Sequence, residues 1–82
     1  MSQSIKLNQT SVGFLGLITS IDGDQSLKRK LMSLGLRQGQ QVSILHHRKN
    51  GVVVSSNGSR IALGDNVAAK IYIQQIFPEE TA

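Results

Sequence analysis

Apolar residues recur along this chain in two rhythms. The run VGFLGLITSI at 12–21 is apolar on both alternating sets, as in a short strand buried on two faces. Its two glycines suit a strand that bends sharply or lets another backbone come close. DGD at 22–24 is a turn signal that can also cap a helix through Asp24, with Ser26 as the other candidate. From Leu27 the period lengthens. Leu27, Leu31 and Leu34 fall at i, i+4 and i+7, a one-sided stripe, while Lys28, Arg29, Lys30 and Ser33 face elsewhere. The predicted helix is about two turns long and persists only if packed against a sheet. Gly35 is placed to end it in the left-handed region, with Leu36 folding back on Leu31.

Period two returns at 41–47, where Val42, Ile44 and His46 alternate with Ser43, Leu45 and His47. Asn50-Gly51 and Asn57-Gly58 are favoured hairpin dipeptides on either side of VVVSS, and SRIAL follows, which predicts three antiparallel strands in a meander. GDNVAA at 64–69 suits a single helical turn capped by Asp65. KIYIQQI at 70–76 sets Ile71 and Ile73 against Lys70, Tyr72 and Gln74, a last strand. Residues 1–11, polar after Met1 apart from Ile5 and Leu7, read as an N-terminal arm, and 77–82, with Pro78 and two glutamates, as a tail. The predicted fold is mainly β: five strands, one short α-helix between the first and second, and a single helical turn before the last. Strands this short with such turns point to a small, partly open barrel, which hides edges that a flat sheet would expose.

The 82 residues are read as a single domain with its core over about 12–76. A chain of this size buries only about 60–65% of its unfolded surface, so the core is thin. Cysteine is absent, which removes disulfides, cysteine zinc sites and thiol chemistry and suits a reducing compartment. No apolar run reaches the roughly 20 residues needed to span a bilayer. The N-terminus has no signal-peptide core, and a cytoplasmic location is expected.

Net charge is +4, and its placement matters more than its size. Between Asp24 and Asp65 stand Lys28, Arg29, Lys30, Arg37, Arg48, Lys49 and Arg60, with no acid among them. A one-signed segment favours an acidic partner: nucleic acid, an anionic membrane face or a protein surface. It also serves simply to keep a small barrel soluble.

Candidate chemistry is sparse. His46 and His47 adjoin on a strand, so they point to opposite faces and cannot chelate one ion together. There is no third histidine, and DGD lacks the further ligands of a calcium loop, so neither a metal site nor a cofactor site is predicted. No serine lies in a G-x-S-x-G elbow, and GLRQG and GFLG do not match a phosphate loop. No catalytic residue is assigned, and an enzyme is not expected. A single-strand nucleic-acid binder pairs a basic groove with stacking aromatics. Only Phe14, Tyr72 and Phe77 are aromatic, with Tyr72 the one candidate platform, so nucleic acid is the alternative and protein binding the leading class.

LKRKLMSLGLRQGQQVSIL (27–45), followed by GSRIALGDNVAAKIYI (58–73), resembles the FeoA family. These are small SH3-like barrels that accompany bacterial ferrous-iron transport. The shared pattern is a leucine-glycine helix stop, a glycine turn and a strand, then an alanine-bearing turn into the last strand. It covers about 12–76. The family often has a proline-rich loop where this chain has the compact HRKNG, and a proline-glycine where it has NQTSVG. The barrel also resembles C-terminal domains of iron-dependent repressors, but no helix-turn-helix accompanies it here. The resemblance implies a non-enzymatic accessory of iron transport. Its partner would be the cytoplasmic, G-protein-like part of the membrane Fe(II) permease, with membrane contact only through that partner and no small-molecule substrate. Lys28, Arg29, Arg37, Arg48 and Lys49 are the candidate docking residues.

Overall fold

The computed structural model describes residues 4–77. Six antiparallel strands form one sheet: β1 (Ser4–Lys6), β2 (Leu15–Ile21), β3 (Gln41–Arg48), β4 (Gly51–Ser56), β5 (Ser59–Gly64) and β6 (Ile71–Gln75), in the order β1-β6-β2-β3-β4-β5. Helix α1 (Gln25–Ser33) lies between β2 and β3, and the single turn α2 (Asp65–Ala68) lies between β5 and β6. The mainly β fold, the helix between the first two predicted strands and the turn before the last are all present. One strand is additional.

That strand comes from the segment predicted to be an arm. Ser4, Ile5 and Lys6 pair with Gln74, Ile73 and Tyr72, and a 3₁₀ turn over Leu7–Gln9 then drives Leu7 into the core. Three residues are too few to show a period, so only the isolated Ile5 and Leu7 hinted at it. Phe77 is exposed, and the remainder of the expected tail lies outside the described residues.

The core gathers Ile18 from β2, Val42 and Ile44 from β3, Val52 and Val54 from β4, Ile61 and Leu63 from β5, and Ile71 and Ile73 from β6. Leu7, Leu31, Leu36 and Ala68 plug its ends. Two bulges break the alternation. The pairing of β2 with β6 shifts between Ile18 and Ser20, and that of β3 with β4 shifts between Ile44 and His46. An extra residue reverses the facing of all that follow it. Leu45 is that residue in β3: His46 pairs with Val53 on the outer face, whereas His47 pairs with core residue Val52. The predicted set Val42, Ile44, His46 therefore does not share one face.

Helix α1 is capped by Asp24, whose Oδ1 accepts the Leu27 N–H at 2.9 Å. Its end is a Schellman motif. Gly35, at φ +88°, donates its N–H to the Met32 carbonyl at 2.9 Å, and Leu36 donates to the Leu31 carbonyl at 2.8 Å. Leu31 and Leu36 are both buried, but Leu34 is exposed, because the helix ends at Ser33 and Leu34 leaves the stripe. Asp65 does not cap α2: Gly64 occupies the cap position, without a side-chain bond, and Asp65 Oδ1 instead accepts from Asn8 Nδ2 at 3.3 Å.

The two Asn-Gly pairs do different work. Asn57 and Gly58 both have positive φ, 53° and 84°, and join Ser56 to Ser59 as a two-residue hairpin. Asn50 and Gly51 do not form the predicted turn. Arg48 pairs with Gly51, so Lys49 and Asn50 occupy the bend and Gly51 begins β4. Gly51 is required by proximity: a Cβ there would lie 2.2 Å from the Leu63 carbonyl oxygen.

Two alanine substitutions separate these roles. Gly35→Ala meets no atom and should cost about 1–2 kcal/mol, from the left-handed backbone alone. Gly51→Ala forces two backbones apart and should cost more, roughly 2–3 kcal/mol, on the scale of overpacking. Urea unfolding of both variants orders them.

Candidate docking surface

Helix α1 holds itself to the sheet by little: Leu31 is its one fully buried side chain, with Leu27 packed partly against the core. Its remaining surface faces outward, and it is not uniformly polar. Met32 is 60% exposed and Leu34 43%. Met32 borders two grooves, and Leu34 borders the second of them. The first, of about 290 Å³, runs between α1 and β2 and is lined by Ile21, Lys28, Met32, Leu36 and Arg37. The second, of about 280 Å³, lies beside the helix C-terminus, between Met32, Leu34 and Arg37 on one side and Asn57 and Ser59 of the β4–β5 hairpin on the other. Arg37 borders both.

A third groove, of about 590 Å³, lies at the far end of the same hairpin, lined by Arg48, Lys49, Val52, Ala62, Leu63 and Gly64. The five cations picked from the sequence are all exposed, yet they do not form one cluster. Lys28 and Arg37 flank the helix grooves, Arg29 lies on α1 beside Lys28, and Arg48 and Lys49 belong to the third groove. Sequence reasoning missed Met32 and Leu34 as surface groups. Met32 did leave a signal, an apolar residue one position off the leucine stripe, on the otherwise charged side of the helix.

Such an arrangement suits recognition rather than reaction: apolar contacts bordered by cations fit a complementary protein surface. Among the described residues, no three His, Cys, Asp or Glu side chains converge to hold a metal ion. His47 is occupied structurally, donating from Nε2 to the Thr10 carbonyl and fastening the segment that follows the 3₁₀ turn. Tyr72, the candidate stacking platform, is half-buried within β6, between β1 and β2. Phe14 packs against the core. Among the described residues, no helix is long and apolar enough to cross a membrane.

Known proteins match this chain closely in fold. Residues 5–75 match the FeoA domain family. A protein of Methanocaldococcus jannaschii named as an Fe(2+) transport protein A is 28% identical over 58 residues, 71% of each chain. The crystal structure of an iron uptake regulatory protein, FeoA, superposes with a TM-score of 0.85 at 25% identity, over 90% of this chain and 100% of the other. FeoA of Chlorobium tepidum gives a TM-score of 0.82 at 26% identity, over 93% of this chain and 74% of that one. A manganese-dependent transcriptional repressor shares the fold, with a TM-score of 0.85 at 19% identity over 93% of this chain and 44% of its own.

The two histidines should separate on mutation. His47→Ala leaves the carbonyl of buried Thr10 unpaired and should cost about 1–2 kcal/mol. His46→Ala, on the outer face, should stay within about 0.5 kcal/mol. Hydrogen exchange over residues 4–10 should accelerate only in the first variant.

Proposed function

The chain belongs to the FeoA family, and from that premise we propose that it serves ferrous-iron transport as a non-enzymatic accessory, docking on the cytoplasmic nucleotide-binding part of a membrane Fe(II) permease. Iron is the cargo of the partner in this scheme, and the chain acts by contact. The observation that carries the proposal is the mouth beside α1, where exposed Met32 and Leu34 are bordered by Lys28 and Arg37. Apolar side chains supply contact area, and the cations, with Arg29 beside them, select an acidic face and speed encounter. Arg48 and Lys49 lie outside this mouth and add long-range attraction.

The anchoring of α1 fits such a role. A nine-residue helix held by a cap, a glycine stop and two leucines can adjust slightly against the sheet without opening the core. Docking on a nucleotide-binding domain also gives a route to regulation, because a partner that binds one nucleotide state better shifts that equilibrium by its differential affinity.

Titration of the full chain into the soluble cytoplasmic domain of the permease tests the proposal. Met32→Glu, and separately Lys28→Glu with Arg37→Glu, should each weaken binding about tenfold, or about 1.4 kcal/mol, while the urea midpoint stays near that of the parent. Unchanged affinity in both variants would remove α1 as the docking face, and absence of binding by the parent chain would remove the partner.

A further inference from the structure

The outer edge of β5 is bare in a way that folding does not require. Among the described residues, this strand ends the sheet order and pairs with β4 alone. Its pairing runs without a shift from Ser59 to Gly64, in contrast to the bulges in β2 and β3. The two-residue hairpin fixes which backbone groups are used. Ser56 and Ser59 close it as a hydrogen-bonded pair, so Val54 with Ile61 and Val52 with Leu63 are bonded pairs too. The N–H and C=O groups of Arg60 and Ala62 therefore point away from β4, toward the open edge. Proteins usually blunt such edges with bulges, prolines, charges or a covering element. Here the outward-pointing positions are Arg60, Ala62 and Gly64, all exposed, with a single charge among them.

Gly64 is the informative residue. Its φ is −65°, which any residue adopts, and a Cβ built on it meets nothing within 4 Å. As the α2 cap it makes no side-chain bond, and serine, asparagine or aspartate would cap better. Neither backbone conformation, packing nor capping calls for glycine there. What glycine does permit is the close approach of another backbone.

The charge pattern says what kind. Arg48, Gly51 and Gly64 form one cross-strand row, and His46, Val53 and Ala62 the next, both on the outer face. Two positions without side chains thus separate Arg48 from the edge, roughly 10 Å away, and its side chain can lie across them. Lys49 borders the same groove, and at the other end of the edge Arg60 follows Ser59, which opens beside Arg37. Nearby Asp65 is held by Asn8.

We propose that the β5 edge accepts an extended acidic segment of a partner protein as a seventh strand, its carboxylates meeting Arg48, Lys49 and Arg60. A second copy of this chain is the poorer occupant, because edge-to-edge pairing would set these cations against their own kind. The site is separate from the α1 mouth and does not rest on the permease as partner.

Amide spectra of the ¹⁵N-labelled full chain, titrated with an octapeptide alternating Val and Glu, test this. Shifts should be confined to residues 59–65 and 48–50, and the Ala62 amide should become protected from exchange. Gly64→Thr, which caps as well as glycine, and Ala62→Pro, which removes an outward N–H at a position where an edge strand tolerates proline and leaves the bonds to β4 in place, should each weaken binding about tenfold or more. Arg48→Glu should turn the preference toward the matching Val-Lys peptide. The proposal is overturned if the acidic peptide leaves β5 unmoved at millimolar concentration, or if the parent binds the Val-Lys peptide equally well. It also fails if the β5 shifts arise from protein concentration alone, which would indicate self-pairing.

Discussion

A curved sheet of short strands buries its inner face only if something closes the gap between its two edge strands. In this chain β1 and β5 are those edges. The closing elements are the 3₁₀ turn after β1 and the turn α2 after β5, which meet through Asn8 and Asp65. Leu7 and Ala68, carried on these two short pieces, enter the core that the sheet encloses. A further tie joins them to the meander, since the Asp65 N–H donates to the Asn50 carbonyl at 2.9 Å. Closure by turns rather than by a sixth strand pair, β5 with β1, has a consequence at the surface: among the described residues, nothing pairs with the outward hydrogen-bonding groups of the β5 edge.

The same thin core explains the other exposed feature. With so few apolar side chains, most of the core comes from the sheet itself, Leu7 and Ala68 close it, and α1 adds little beyond Leu31 and the returning Leu36. A helix that contributes so little to the core leaves most of its circumference for other uses. Met32, Leu34 and the surrounding cations are what it carries there. Burial is thus divided between elements: β4 is the most deeply buried strand, β2 and β6 are mostly half-buried, and α1 and β5 carry more of the exposed residues.

Much of this was legible in the residues. The leucine period, Asp24 and the Leu-Gly-Leu stop fixed α1 and its end, because helix capping is local and each bond closes within a few residues. The alternation in β6 and the Asn57-Gly58 turn were equally local. What escaped depended on distant partners. A three-residue strand becomes a strand only because β6 is there to receive it. The bulge at Leu45 is invisible without its partner strand, and it moved His46 and His47 to the faces opposite those predicted. Asp65 read as a cap, but Asn8, 57 positions away, claims its carboxylate. The five candidate cations could be picked individually from the sequence; their division between separate grooves is a property of the closed sheet.

Glycine shows why the same letter can mean structure in one place and interaction in another. Gly35 and Gly58 stand where the backbone turns left-handed, and Gly51 where a neighbouring carbonyl leaves no room for a Cβ. Each is accounted for by folding alone. Gly64 satisfies neither condition, although it directly faces Gly51 across the same pair of strands. Once the demands of backbone and packing have been subtracted, a glycine that remains is a candidate for contact with something outside the chain. The empty space beside Gly64 is a property of the folded sheet and leaves no mark on the local sequence. It also places the contact on the edge that closure by turns leaves unpaired, so the fold's means of sealing its core and its opportunity for binding have one origin.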